Sequence, residues 1–187
     1  MRLFLAVELE PELRRLLHEA TAPLRALLPD ATWVAEERLH LTLKFLGEQP
    51  ETLVTPLTTA MEEIAERHWP VAMRLRGVGA FPNLRRPRVV WVGIEPAPKL
   101  ELLQHDVEER CAALGIEVEG KPFRPHLTIG RLRGTEKRET LRDVARAARE
   151  IRFQADTDVL AIALMHSTLS RNGPRYERLA EARLRSA

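Results

Sequence analysis

The chain of 187 residues has one cysteine, Cys111. It therefore cannot close an intramolecular disulfide, and a zinc site built on several thiolates of one chain is excluded. No apolar run approaches the roughly 20 residues needed to cross a bilayer as a helix. The opening Met1-Arg2-Leu3-Phe4-Leu5-Ala6-Val7-Glu8 has one basic residue, a short apolar stretch and an early acid. That is unlike a secretory signal, so the expectation is a cytoplasmic protein with no membrane partner. No glycine-rich turn follows a predicted strand, which counts against phosphate-loop and dinucleotide folds. No low-complexity linker divides the chain, and we expect one domain over residues 1–187. Histidines in His-x-x-x-His spacing and aspartate-rich clusters are also missing, so neither a metal nor another cofactor is expected.

What is present is average for a folded soluble chain: 44% apolar and 30% charged residues, with a net charge of +2. The cations are uneven, with 25 arginines against Lys44, Lys99, Lys121 and Lys137. Arginine suits bidentate phosphate contacts, and the bias fits a phosphorylated or nucleic-acid ligand. Many arginines, however, sit beside glutamates at helical spacing, as in Glu62-Glu63-Ile64-Ala65-Glu66-Arg67, and read as solvated helix faces.

Periodicity predicts strands over Leu3–Val7, Leu39–Phe45, Val71–Val78, Val89–Ile94, Phe123–Ile129, Ile151–Ala155 and Val159–Leu169, with a short extended piece at Thr32–Val34. It predicts helices over Pro11–Leu28, Glu51–Arg67, Pro98–Leu114 and Arg138–Glu150. Residues Tyr176–Leu184 fit a strand or a short helix. Val71–Val78 and Val89–Ile94 read as a hairpin with a long basic loop, Gly79–Pro87. The mixture of strands and helices with hairpin neighbours points to an α+β fold.

One internal similarity is specific. His40-Leu41-Thr42-Leu43 and His126-Leu127-Thr128-Ile129 share the pattern His-apolar-Thr-apolar, both in predicted strands. Composition alone predicts about 0.07 copies, so a pair arises in roughly 0.3% of shuffled chains. In a strand, residues i and i+2 share a face, so each copy shows an imidazole and a hydroxyl on one side and apolar residues on the other. His166-Ser167-Thr168 has the same polar face but lacks the apolar second residue, and reads as structural.

Two imidazoles titrating near neutrality can divide acid and base work on a phosphodiester. One accepts a proton from water; the other donates one to the leaving oxygen. Thr42 and Thr128 are placed to donate hydrogen bonds to the non-bridging oxygens, where charge builds. Arg131, just beyond the second strand, is a candidate phosphate clamp. Lys44 is expected on the strand face of His40 and Thr42, as a substrate-binding cation that neutralises phosphate at the cleft mouth; a surface role is the plain alternative. Phe81 is a candidate base-stacking residue, with Arg85, Arg86 and Arg88 along an RNA backbone; core packing and solvation are the plain alternatives.

Together these segments resemble the two-histidine (2H) phosphoesterases, and within them the bacterial and archaeal RNA 2',3'-cyclic phosphodiesterases, also described as 2'-5' RNA ligases. The likeness runs through Arg2-Leu3-Phe4-Leu5-Ala6-Val7, His40 to Gly47, Gly79-Ala80-Phe81-Pro82-Asn83, Pro87 to Gly93, Phe123 to Arg131 and Gly173-Pro174-Arg175-Tyr176. The resemblance implies a bilobal, pseudo-symmetric fold in which each lobe is an antiparallel sheet backed by helices, with the active-site cleft between them. It implies hydrolysis of terminal 2',3'-cyclic phosphates to 2'-phosphomonoesters without metal, and 2'-5' ligation as the reverse reaction. His40 would be the general acid and His126 the general base, with Thr42 and Thr128 holding the phosphate. The implied partner is RNA ending in a cyclic phosphate, tRNA fragments among the candidates, acted on by a monomer that needs no obligate protein partner. The alternatives are another cyclic phosphate, a 2'-5' linked oligonucleotide, or RNA-end binding without turnover.

Overall fold

A computed structural model describes residues 1–170 and 173–186. The chain forms nine strands and five helices: β1 (Arg2–Glu8), α1 (Pro11–Ala20), α2 (Ala22–Leu27), β2 (Thr32–Trp33), β3 (His40–Glu48), α3 (Val54–Ala65), β4 (Val71–Phe81), β5 (Val89–Ile94), α4 (Pro98–Ala113), β6 (His126–Arg131), α5 (Arg138–Glu150), β7 (Gln154–Val159), β8 (Ala161–Ser170) and β9 (Gly173–Arg183). These counts apply to the described residues. None of the helices among them is long and apolar enough to cross a membrane.

The strands make two antiparallel sheets, ordered β3-β1-β8-β9 and β2-β6-β5-β4-β7. Each sheet carries one motif strand, β3 or β6. Outward from that strand both sheets continue through three antiparallel neighbours, which is the expected pseudo-symmetry. The two motif strands run next to each other where the sheets meet, with Cα atoms within 8 Å. The helices back the sheets: α3 packs on β8 and β9, α4 on both β3 and β4, and α5 on β4 and α2.

Helical spacing selects the buried faces, as in Leu57, Met61 and Ile64 of α3 and Leu100, Leu103, Val107 and Cys111 of α4. Strand β1 is buried on both sides, which explains its unbroken apolar run. One of its faces gives Leu3, Leu5 and Val7 to the main core. The other gives Phe4 and Ala6 to a small cluster with Ala163, Met165 and Tyr176.

Several boundaries differ from expectation. The first helix breaks at Thr21, because Pro23 has no N–H to donate to the carbonyl of Glu19. The Thr21 hydroxyl donates to the Leu17 carbonyl at 2.9 Å there. Strand β6 starts at His126 rather than Phe123, directly after Pro125. Strand β4 runs on to Phe81, so the basic loop is 82–88. The expected strand at Ile151–Ala155 forms instead at Gln154–Val159, and β8 starts at Ala161. The undecided segment around Tyr176–Leu184 lies mostly in β9, paired with β8 along its length.

Candidate active site

Each motif strand carries a bulge at the same place. In β3, Thr42 pairs with Ala6 and Lys44 with Leu5, leaving Leu43 without a partner. In β6, Thr128 pairs with Trp91 and Gly130 with Val90, leaving Ile129 without one. The unpaired residue is the fourth of each motif. An extra residue shifts the alternation of faces. Leu43 and Lys44 are consecutively buried in β3, as Ile129 and Gly130 are in β6, and the next residue in each strand returns to the histidine face.

Lys44 is therefore not in the cleft. It points into the core, where Nζ donates to Oε2 of Glu108 at 2.6 Å and to the Glu117 carbonyl at 2.9 Å. This corrects the expectation from simple alternation. For Arg131 the same device works the other way. Paired with Val89, Arg131 lies on the face of His126 and Thr128 and is exposed.

Both histidines open their strands, and both are held alike. Nδ1 of His40 lies 2.7 Å from the Arg38 carbonyl, and Nδ1 of His126 lies 2.6 Å from the Arg124 carbonyl. A carbonyl only accepts, so Nδ1 carries the hydrogen in each ring and Nε2 is left free to gain or lose a proton. Nε2 of His40 is 3.1 Å from Oγ1 of Thr42.

Aromatic rings support both imidazoles. The Tyr176 ring stands edge-on to His40 at 5.4 Å, and Phe4 is tilted against it at 5.1 Å. Phe81 stands edge-on to His126 at 5.0 Å, with Trp91 at 6.4 Å. Trp91 lies across Gly79: a Cβ there would come within 2.1 Å of the ring, so only glycine admits the indole. Phe81, expected in a loop, thus ends a strand beside His126.

Burial lowers the pKa of His40, because a low-dielectric setting disfavours imidazolium; the Arg38 carbonyl and the Glu8 carboxylate act in the opposite sense. Glu8 is directly across the strands from His40 and accepts from Arg178 at 2.8 Å. A cleft of about 450 Å³ opens here, lined by Glu8, Arg14, Arg38, His40, Tyr176 and Arg178.

Arg85 and Arg86 are exposed in the loop 82–88, their N–H groups donating to Oδ1 of Asn83 at 2.9 and 3.1 Å. Arg88 is tied to the Arg133 carbonyl at 3.2 Å. His166 pairs with Leu3, whose side chain is in the main core, so it faces away from His40. Sequence reasoning assigned no role to Phe4, Glu8, Trp91, Tyr176 or Arg178. Alternation along β1 places Phe4, Ala6 and Glu8 on one face, a signal available for the first two of those five.

The family model of the 2'-5' RNA ligase superfamily matches residues 7–169. The chain belongs to this superfamily. A protein of Geobacillus stearothermophilus named RNA 2',3'-cyclic phosphodiesterase is 38% identical over 68% of this chain, which spans 41% of that protein's length. An Aquifex aeolicus protein of the same name is 38% identical over 77% of each chain. The crystal structure of TT0787 from Thermus thermophilus superposes with a TM-score of 0.82, at 32% identity, over 98% of both chains. E. coli LigT complexed with 3'-AMP superposes with a TM-score of 0.74, at 29% identity, over 99% of this chain and 98% of that one.

Proposed function

We propose that the protein hydrolyses RNA 2',3'-cyclic phosphate termini to 2'-phosphomonoesters by metal-independent acid/base catalysis between His40 and His126. The observation that carries this reading is the matched Nδ1–carbonyl bond, which leaves two Nε2 atoms on adjoining strands in the form acid/base chemistry requires. The names of the relatives supply the substrate class.

Water attacks phosphorus while Nε2 of His126 takes its proton. The bond from phosphorus to the 3'-oxygen breaks, and Nε2 of His40 protonates that oxygen. Thr42, Thr128 and Arg131 bind the non-bridging oxygens as charge accumulates, and Phe81 stacks on the terminal base. Burial holds free His40 towards the neutral form; the incoming phosphate anion favours imidazolium and so loads the acid with its proton. With a 5'-hydroxyl in place of water, the same step joins RNA through a 2'-5' bond: His126 takes the hydroxyl proton and His40 protonates the 3'-oxygen, and the two exchange roles only when that bond is cleaved back to the cyclic phosphate. The chain acts as one bilobal, monomeric unit in the cytoplasm, on cyclic RNA ends such as those of tRNA fragments.

The test is incubation with an oligoribonucleotide ending in a 2',3'-cyclic phosphate under excess chelator, with the product identified by mass and phosphatase sensitivity. A 2'-phosphate that is absent with His40→Ala and with His126→Ala is expected. Loss of activity in chelator would refute metal independence. No product from folded protein would move the substrate to another cyclic phosphate or reduce the role to binding.

A further inference from the structure

Arg38 and Arg124 each precede a motif histidine by two residues, and each offers the carbonyl that accepts from Nδ1. Their side chains differ. Arg124 is exposed. Arg38 is half-buried, and its Nη1 donates to the carbonyl of Pro174 in β9, 136 residues away in the chain.

Residues Glu36–Arg38 form a single 3₁₀ turn, a geometry whose hydrogen bonds are poor and which persists only in short pieces. Two arginines brace it from outside. Arg14 of α1 donates to the Glu37 carbonyl at 2.8 Å, and Arg38 reaches across to Pro174. The neighbouring Gly173 has φ of +98°, and a Cβ there would lie 3.3 Å from Nη1 of Arg38, so glycine lets β9 come this close. Two residues beyond Pro174, the ring of Tyr176 stands edge-on to His40 at 5.4 Å. The contacts close a circuit: from Nδ1 of His40 to the Arg38 carbonyl, from the Arg38 guanidinium to β9, and from Tyr176 back to His40.

We infer that Arg38 is a positioning residue for His40: its guanidinium, anchored on Pro174, fixes the carbonyl that keeps the proton on Nδ1 and aims Nε2 into the cleft. An imidazole is held in one tautomer and orientation only as firmly as the acceptor on its other nitrogen is held. The catalytic consequence rests on the proposed hydrolysis by His40 and His126. A loosened turn misaligns Nε2 and slows the chemical step, while substrate binding is kept. Arg38 also lines the cleft, so direct contact with a substrate phosphate is the competing role. The two roles differ in what they change, because a phosphate contact acts on KM and leaves the ligand-free imidazole as it was.

The experiment records nitrogen-15 spectra of the imidazoles in the ligand-free protein, at a pH where both rings are neutral, for the wild type, Arg38→Ala and Arg38→Lys. Steady-state kinetics on an oligoribonucleotide 2',3'-cyclic phosphate accompany them. In the wild type both rings are expected in the Nδ1–H form. Arg38→Ala is expected to move His40 to a mixture of tautomers and to lower kcat about ten- to a hundredfold, with KM within about twofold and the His126 signals unchanged. Arg38→Lys, which keeps a donor on a stem of similar length, is expected to recover the His40 signals and most of kcat. Should Arg38→Ala not fold, Arg38→Gln, whose amide nitrogen stops two bonds short of Nη1, carries the same expectations. Unchanged His40 signals overturn the inference, and so does an equal change at His126, which would mean general loosening. A raised KM with kcat kept overturns it in favour of a phosphate contact. Wild-type protein without turnover overturns the hydrolysis reading alone, since the spectra are recorded without substrate and still decide whether Arg38 holds His40.

Discussion

Nζ of Lys44 lies 2.6 Å from Oε2 of Glu108, on the core side of the strand that carries His40. A buried cation with one close carboxylate is a stability element. Removing it leaves an uncompensated charge, which costs about 3–5 kcal/mol. Lys44→Ala is therefore expected to lower the urea midpoint by that equivalent, and Lys44→Met combined with Glu108→Gln to recover most of it. Turnover per folded molecule should be retained by the double variant. A large fall in kcat there, with stability restored, would put the ammonium back in the cleft.

His40→Ala and His126→Ala are each expected to reduce kcat by about 10²–10⁴, the usual contribution of a positioned acid or base. His166→Ala is the matched control, since that imidazole faces the other side of the sheet. Steady-state kinetics should place it within about twofold of wild type, a range in which ordinary surface changes fall. Comparable losses at positions 166 and 40 would contradict the assignment by face.

The pH profile follows from the setting of His40. Burial moves its pKa below the ordinary value of about 6.5. A general acid works only when protonated, so kcat/KM, which reports the free enzyme, should fall as pH rises through that lowered value. Glu8 acts upward on His40. Glu8→Gln should therefore shift the alkaline limb to still lower pH. An alkaline limb that lies above the ordinary histidine range, or that moves upward in Glu8→Gln, would assign the acid to another group.

Cys111 is buried among the apolar residues of α4, and burial pushes its thiol up to about 11. The thiolate is the reactive form. In the native protein near pH 8, a thiol reagent is expected to label this residue only on the timescale of unfolding, and at once in denaturant. Rapid stoichiometric labelling of the folded protein would show that α4 opens locally.

Much of the fold was legible because its signals are local. Leucines at helical spacing located the helices, and alternation located most strands. The misplacements have local or pairing causes. Pro23 divides the first helix, and Pro125 delays β6. In β9, Glu177, Arg178, Glu181 and Arg183 among leucine and alanine fit either period, and only pairing with β8 selects the strand. Within the site, the histidines and threonines were legible as a repeated pattern. Tyr176 and Trp91 were not, because their nearness to His40 and His126 depends on strands distant in sequence.

The sequence by itself determined which groups are available: two imidazoles, each two residues before a hydroxyl and each in a strand. It also determined that the chain is α+β. Tertiary structure decided which of their neighbours share the cleft. A bulge is a mismatch between two paired strands, so it belongs to neither strand alone. Without it, strict alternation sends Lys44 to the histidine face and Phe45 to the core. With it, Lys44 enters the core to meet Glu108, and Phe45 and Arg131 come to the surface beside the histidines. Partners drawn from β1 and β5 set that parity, and no reading of β3 or β6 in isolation contains it.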